Sequence, residues 1–393
     1  MTGTLFRWIA PVAVIIVFLL LAGTVSGQPV AGASEAMAAH SSHVRRFMLP
    51  NSAGLGDVLA AHGSTTLLSY GLTNGSSVID EYSAATAGPV ELQLVPGGPS
   101  EFPSGVAWAA SRFLVSIQNV TTGTTFYESF TVQGRMTIAN IPEATEGLWT
   151  VIDSTGGSVY LSSPGSLLAL NESTLSLDQS FDSVLPAGAG INSVALLGGQ
   201  LYLGGAISPA TGGAYAFYGA IDLASGTLTT LSPTETYPTT YLTTVLSVVV
   251  ARGMVFFGGQ SLSFGTNPSF FYQTDGPVLV SFQPCSGSLR NLSGELSPQR
   301  GVGQLVVLGG AVGVVAPFWG FTVGGQLTGA PGFYLLNART GHLRNETAVV
   351  GTDLLVIASE TAASGGQLIT MGEQLSSGVT ELVVVPFSAF DLH

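Results

Sequence analysis

A phrase of short apolar runs recurs about every 45 to 60 residues, and no other feature limits the fold as tightly. Its clearest copy begins Asn192-Ser193-Val194-Ala195-Leu196-Leu197, turns at Gly198-Gly199, and continues Gln200-Leu201-Tyr202-Leu203-Gly204-Gly205. After an insertion come Tyr218-Gly219-Ala220-Ile221-Asp222-Leu223 and Ala224-Ser225-Gly226-Thr227-Leu228, and the copy ends at Pro233. Each copy reads as four antiparallel strands, A to D, joined by hairpins. The A–B turn is Gly156-Gly157, Gly198-Gly199, Gly253, Gly309-Gly310 or Gly365-Gly366, because tight hairpins need positive φ. The C–D turn reads Asp222-x-x-Ser225-Gly226-x-Leu228, Gln283-x-x-Ser286-Gly287-x-Leu289 and Asn337-x-x-Thr340-Gly341-x-Leu343, with a degenerate copy from Asn171. Its first side chain can accept a bond from backbone two residues on, and its Gly suits the left-handed conformation. Such units bury their faces by radial repetition. The expected fold is all-β: a seven-bladed β-propeller of four-stranded antiparallel blades.

Blades are expected at about 57–96, 103–142, 146–186, 190–233, 242–298, 301–351 and 352–393. D strands end near Pro96, Pro142, Pro186, Pro233 and Pro298, where proline leaves the ladder of an outer strand. In the last copy, A is read as Asp353–Ser359, B as Gln367–Gly372 and C as Glu381–Phe390. There Ser388-Ala389-Phe390-Asp391-Leu392-His393 matches Gly219-Ala220-Ile221-Asp222-Leu223, the point where strand D is due. A run of D-strand length stands at the other end, His43-Val44-Arg45-Arg46-Phe47-Met48-Leu49-Pro50. Residues 43–50 are therefore expected to complete the last blade and close the ring, leaving no open seam. Leu305–Val323 is uncharged and long enough to suggest a membrane helix. Gly309-Gly310, Gly313, Pro317 and Gly320 interrupt it, so it is read as a strand pair plus an insertion.

The run Leu170-Asn171 through Ser176-Leu177-Asp178-Gln179-Ser180-Phe181, followed by Gly198-Gly199-Gln200-Leu201-Tyr202-Leu203-Gly204-Gly205, resembles the repeats of kelch-like and delta-60-type propeller proteins. Those repeats place an SLD-x-SF phrase before a strand and a Gly-Gly pair around an aromatic strand. The resemblance is good over residues 165–235. It implies a propeller and, for extracellular proteins of this kind, a binding or surface role. It transfers no catalytic residue.

The N-terminal segment points out of the cytoplasm. Arg7 precedes an uncharged apolar run from Trp8 to Val25, and Val25-Ser26-Gly27 and Ala31-Gly32-Ala33 follow. A positive n-region, an apolar h-region and a small-residue site describe a secretory signal peptide. Residues 1–33 are read as that signal and its cleavage region, 34–42 as a linker and 43–393 as the propeller. An uncleaved anchor is the alternative, because such a run can just span a bilayer. Five of the ten Asn residues (Asn74, Asn119, Asn171, Asn291 and Asn345) stand in N-x-[ST] sequons and are expected glycosylation sites. Cys285 is the single cysteine, so no intramolecular disulfide forms.

Lys is absent, all ten basic residues are Arg, and 23 acidic residues bring the formal net charge to −13. This excludes a basic nucleic-acid surface and a polybasic lipid-binding patch. With 8% of residues charged, stability is expected to depend weakly on pH, which suits an acidic exterior. Without Lys there is no Schiff base and no P-loop. His40, His43, His62, His342 and His393 show no metal-ligand spacing, and no metal or cofactor is expected. Asp57, Asp153 and Asp353 fall near blade starts, where D–A loops rim the central channel. They are read as turn residues, or else as carboxylates for a cation or for acid/base chemistry.

The copies differ most in their B–C insertions, which are aromatic. Blade four carries Tyr215, Phe217 and Tyr218, blade five Phe270, Phe271 and Tyr272, and blade six Phe318 and Trp319. The D–A loop with Tyr237 and Tyr241 shares their face. Tyr237, Tyr241, Phe270, Phe271, Tyr272, Phe318 and Trp319 are expected to stack on sugar rings or dock onto a protein, with packing between blades as the alternative. The expected function is a secreted or cell-surface module that binds a glycan or extracellular protein without catalysis. Membrane contact is expected only through an uncleaved N-terminal segment. The rivals are a hydrolase or lyase with paired channel carboxylates and a subunit of an envelope layer or filament.

Overall fold

Short apolar runs between Gly-rich turns fold here into antiparallel sheets arranged as a ring. The computed structural model describes residues 44–389 apart from 84–87, 96–99, 133–135, 140, 142–143, 145, 180, 182–184, 209–214, 232–240, 264–278, 293–301, 317–319, 322–326, 329–331, 348–355 and 375–378. Strand β1 (Arg45–Met48) precedes blade one, which is β2 (Ser52–His62), β3 (Thr65–Leu72), β4 (Ser77–Ser83) and β5 (Val90–Val95). Blade two is β6 (Glu101–Ala109), β7 (Arg112–Asn119), β8 (Thr124–Thr131) and β9 (Met136–Ala139). Blade three is β10 (Thr150–Thr155), β11 (Ser158–Ser163) and β12 (Ser166–Asn171). Its outer strand is reduced, among the described residues, to the bridge between Leu170 and Leu177. Blade four is β13 (Ala189–Leu197), β14 (Gln200–Ile207), β15 (Tyr215–Asp222) and β16 (Leu228–Thr230). Blade five is β17 (Tyr241–Ala251), β18 (Met254–Ser263), β19 (Leu279–Gln283) and β20 (Ser288–Asn291). Blade six is β21 (Gln304–Leu308), β22 (Ala311–Ala316), β25 (Gly332–Asn337) and β26 (Leu343–Thr347), with the small hairpin β23 (Gly320–Phe321) and β24 (Leu327–Thr328) inserted. The described residues of the stretch that mimics a membrane helix thus form β21, β22 and β23 and the turn between the first two, and no helix among the described residues is long and apolar enough to cross a membrane.

Blade seven is β27 (Val356–Ser364), β28 (Gln367–Gln374) and β29 (Val379–Pro386), completed by β1. Arg45 faces Val384 and Met48 faces Glu381 across that antiparallel pair. Beyond it, Leu49 N–H donates to Thr380 O, and the Ser52 hydroxyl accepts Thr380 N–H at 2.9 Å. The N-terminal strand closes the ring as expected, but the register corrects the alignment behind that expectation. In blade four Gln200 opposes Asp222, whereas in blade seven the corresponding Gln367 opposes Pro386. Pro386, not Asp391, therefore stands where the C–D turn would begin, and a 3-10 turn at Phe387–Ala389 follows. No turn-forming Asp is needed there, because strand D arrives from the other terminus.

Where the C–D hairpin does exist, it is built as the sequence pattern implies. Asp222 Oδ1 accepts the N–H groups of Ala224 and Ser225, and Asn337 Oδ1 those of Arg339 and Thr340. Gly226, Gly287 and Gly341 take φ of 70°, 65° and 71°. Seven apolar clusters among the described residues each lie between neighbouring blades. The blade-one and blade-two cluster holds Leu67, Ile79, Phe113, Val115 and Phe130, and the cluster that closes the ring holds Leu49, Leu68, Tyr82, Met371 and Leu382. Both faces of a blade are buried, so its middle strands read as continuous apolar runs.

Bulges in the innermost strands tie the blades together. They fall at Val151/Asp153, Ile191/Ser193 and Val245/Ser247, among others. Nearby side-chain oxygens accept backbone N–H groups of the next blade. Ser193 Oγ takes Val248 N–H, Ser247 Oγ takes Leu305 N–H (both at 3.0 Å), and Gln304 Oε1 takes Thr361 N–H. The repeated pair Gly204-Gly205 serves this joint. A Cβ on Gly205 would overlap the carbonyl oxygen of Gly190 on the bulged strand, and one on Gly204 would sit 2.5 Å from Val245 and Val248 of the next blade.

Candidate functional site

Antiparallel blades put A–B and C–D turns on one face and B–C and D–A connections on the other. The B–C connections are short in blades one to three, at 73–76, 120–123 and 164–165, and in blade seven at 375–378. In blades four, five and six they span 208–214, 264–278 and 317–331. One sector of one face thus carries the additional chain. Tyr237, Phe270, Phe271, Tyr272, Phe318 and Trp319 lie outside the described residues, and Tyr241 opens β17 opposite Ser263. The blade-four aromatics belong to a strand rather than an insertion and follow the inter-blade alternative. Tyr215, Phe217 and Tyr218 lie within β15, where Phe217 and Tyr218 are buried between blades and Tyr218 meets Phe257 edge-on at 5.3 Å. Strand C presents both faces to neighbouring blades, so aromatics on it become core.

Of the sequon residues, Asn74, Asn171 and Asn291 are exposed, and Asn345 lies in β26. Asn119 is half-buried, and its Nδ2, the atom a glycan would occupy, donates to Glu101 at 2.7 Å.

The innermost strands enclose a channel of about 540 Å³ lined by residues such as Asp153, Ser193, Ser247 and Gln304. Those serines and Gln304 are committed to the inter-blade bonds. Asp153 Oδ1 accepts Ser154 N–H at 2.7 Å, and burial pushes its carboxyl up to about 7 against that bond. It can therefore give or take a proton near neutrality. Glu172 also lines the channel, but its carboxylate accepts the N–H of Ala110, a hairpin residue with φ of 53°. Asp57 lies in β2, and Asp353 lies outside the described residues. Among the described residues no group of three or more His, Cys, Asp and Glu is arranged to hold a metal ion. His62 stacks on Trp108 of the next blade, 3.9 Å between ring centroids and 7° from parallel, while His342 and Cys285 are exposed in turns.

One further site lies at the seam that closes the ring. Between β1 and blade one lies a cavity of about 450 Å³ lined by Phe47, Leu49, Tyr70, Asp80, Glu91 and Arg46, among others. Asp80 is 3% exposed; Tyr70 hydroxyl donates to its Oδ2 at 3.0 Å, and its Oδ1 has no hydrogen-bond partner among the described residues. Burial pushes the Asp80 carboxyl up to about 6, with Glu91 adding to the rise and the Tyr70 bond opposing it. Burial likewise pushes the Tyr70 hydroxyl up. The available signal was an acidic pair, Asp80-Glu81, inside the otherwise apolar strand run Val78-Ile79 to Tyr82.

No family model and no curated protein matches the sequence. Solved structures do. The WD40 β-propeller domain of Doa1 superposes with a TM-score of 0.53 at 11% identity, over 88% of this chain and 97% of that one. YCF48 bound to D1 peptide gives 0.54 at 9%, over 88% and 97%. The extracellular domain of the one-component system BT4673 from B. thetaiotaomicron gives 0.54 at 12%, over 87% of this chain, which spans only 40% of that one. At such identities the likeness establishes the architecture alone: this chain is a seven-bladed β-propeller.

Proposed function

We propose that the protein is a secreted or cell-surface binding module that holds a protein or glycan partner against the face formed by blades four to six. The observation that carries this reading is the unequal distribution of chain. Connections 208–214, 264–278 and 317–331 join strands in one sector of a ring whose other B–C connections are two to four residues long. Extra chain on a rigid scaffold is where recognition concentrates. Tyr237, Tyr241, Phe270, Phe271, Tyr272, Phe318 and Trp319 belong to this sector in the sequence and offer large contact area at low entropy cost. The solved complex of YCF48 with a D1 peptide supports a peptide or protein as partner. The kelch-like, delta-60-type phrase, the signal-like residues 1–33 and the exposed sequons Asn74, Asn171 and Asn291 support a place outside the cytoplasm.

The test replaces Phe271 and Trp319 together by Ala and measures retention on cell-envelope material. The loss should be at least about tenfold, as for central aromatic anchors. Unchanged retention by a folded double variant would sink the reading.

A further inference from the structure

The seam between blades seven and one buries a carboxylate that the fold barely uses. Val78, Asp80 and Tyr82 alternate along β4 toward one side, and Val78 and Tyr82 join the apolar cluster shared with Leu49, Met371 and Leu382. A carboxylate in such a place is costly unless hydrogen bonds or an opposite charge offset its desolvation. The fold supplies the Tyr70 hydroxyl to one oxygen, and the other has no partner among the described residues. The adjoining cavity of about 450 Å³ holds far more than one water. Its lining combines the aromatic rings of Phe47 and Tyr70 with a second carboxylate, Glu91. The cation in the lining, Arg46, is already paired with Glu381 at 3.5 Å. The same seam accommodates a cation on an aromatic face, with the Arg45 guanidinium 5.6 Å from the Tyr82 ring centre.

We propose that this cavity receives a cationic side chain of a partner protein, an ammonium or guanidinium that donates to Asp80 Oδ1, passes Glu91 and lies against Phe47. A neutral group would leave the buried charge uncompensated, and an anion would meet two carboxylates. A net charge of −13 draws a basic partner toward the molecule. The cavity lies between the closing strand β1 and blade one, so an occupant also pins the strand that shuts the ring. This site belongs to blades seven and one and does not rest on the aromatic sector of blades four to six.

The full protein is titrated at about pH 7.5 and low salt with acetyl-Gly-Arg-Gly-amide, acetyl-Gly-Lys-Gly-amide and the neutral acetyl-Gly-Gln-Gly-amide, followed by NMR. A basic peptide should bind saturably with Kd of about 1 mM or tighter and slow amide exchange across Arg45–Met48. Asp80→Asn should weaken binding about tenfold, the loss of one charge-assisted contact, while Asp153→Asn in the channel leaves it unchanged. Lowering the pH to about 5 protonates most of Asp80, which shares the cavity with Tyr70, Glu91 and Arg46, and should weaken binding by about the same tenfold even if the Asn variant does not fold. Binding undiminished by both changes, equal binding of the Gln peptide, or no binding of the unaltered protein at about 10 mM overturns the assignment. Equal affinity for free butylguanidine assigns the cavity to a small cation and overturns the protein partner.

Discussion

Replacing Gly205 by Ala should loosen the joint between the first two strands of blade four. Its new methyl would overlap the carbonyl oxygen of Gly190, with the carbonyl carbon at 2.9 Å and Ile191 Cα at 3.0 Å. These are backbone atoms, so no rotamer relieves them. Restoring ordinary contact means parting β13 and β14 by about 1.5 Å where strands lie about 4.8 Å apart, which stretches the bonds around the Ile191/Gly205 pair out of range. Losing about two hydrogen bonds at about 1 kcal/mol each, together with overpacking, puts the cost near 3 kcal/mol. With an unfolding entropy of about 2.1 cal/mol/K per residue over roughly 350 residues, the melting midpoint should fall by about 4 °C. Gly190→Ala is the control. Nothing lies within 4 Å of its added Cβ, so its melting should stay within about 1 °C of the parent. Gly204→Ala should fall between them, because the atoms it meets at 2.5 Å are side-chain methyls of Val245 and Val248 that can shift. The assay is thermal unfolding by circular dichroism, with the three variants in parallel. Equal melting of Gly205→Ala and Gly190→Ala would refute the steric account of the repeated glycine pair.

Two further outcomes follow from the buried seam and channel. Burial raises Asp80 to about 6 and Asp153 to about 7, so the native state binds protons that the unfolded chain has released. Their contribution is full below about pH 4 and is lost as pH rises through about 6 to 7, by up to about 3 kcal/mol for Asp80. Urea midpoints should therefore be higher at about pH 5 than at about pH 8, and Asp80→Asn with Asp153→Asn should flatten the profile. Stability that climbs with pH across that window would contradict the assignment. Leu49→Ala removes a side chain that is 0% exposed from the ring-closing cluster and should cost about 2–5 kcal/mol. Hydrogen exchange should then accelerate first in β1 and β29; uniform acceleration in all blades would show that the closing strand is no weaker than the rest.

The ring was legible because its information is local and repeated. Gly226, Gly287 and Gly341 mark the same turn three times, and Asp222 and Asn337 cap it in the same way. Closure by residues 43–50 was legible for the same reason, since a phrase lacking one strand needs a donor. The alignment at Asp391 failed because a strand supplied from elsewhere removes the need for the turn that anchors the phrase, which leaves Pro386 in that register. Phe217 and Tyr218 were placed in an insertion because a strand-C aromatic and a loop aromatic look alike until the strand's end is known, and their packing between blades is the alternative the sequence left open. On pH, low charge density suggested a weak dependence suited to an acidic exterior, and the burial of Asp80 and Asp153 adds a preference for acid that no local pattern carries.

By itself, the sequence determined the all-β class, the repeat, the blade count and the closing strand. Those properties follow from spacings within one phrase, and backbone hydrogen bonding reads such spacings directly. Only the tertiary structure decided why Gly204-Gly205 recurs, because the atoms that exclude a Cβ belong to a bulge on the preceding strand and to the next blade. It alone decided that Asp80 is a buried acid beside a cavity, since Phe47 and Leu49 reach that seam from a strand hydrogen-bonded to the last blade. Burial and partnership depend on which distant segments meet, and no local pattern carries that.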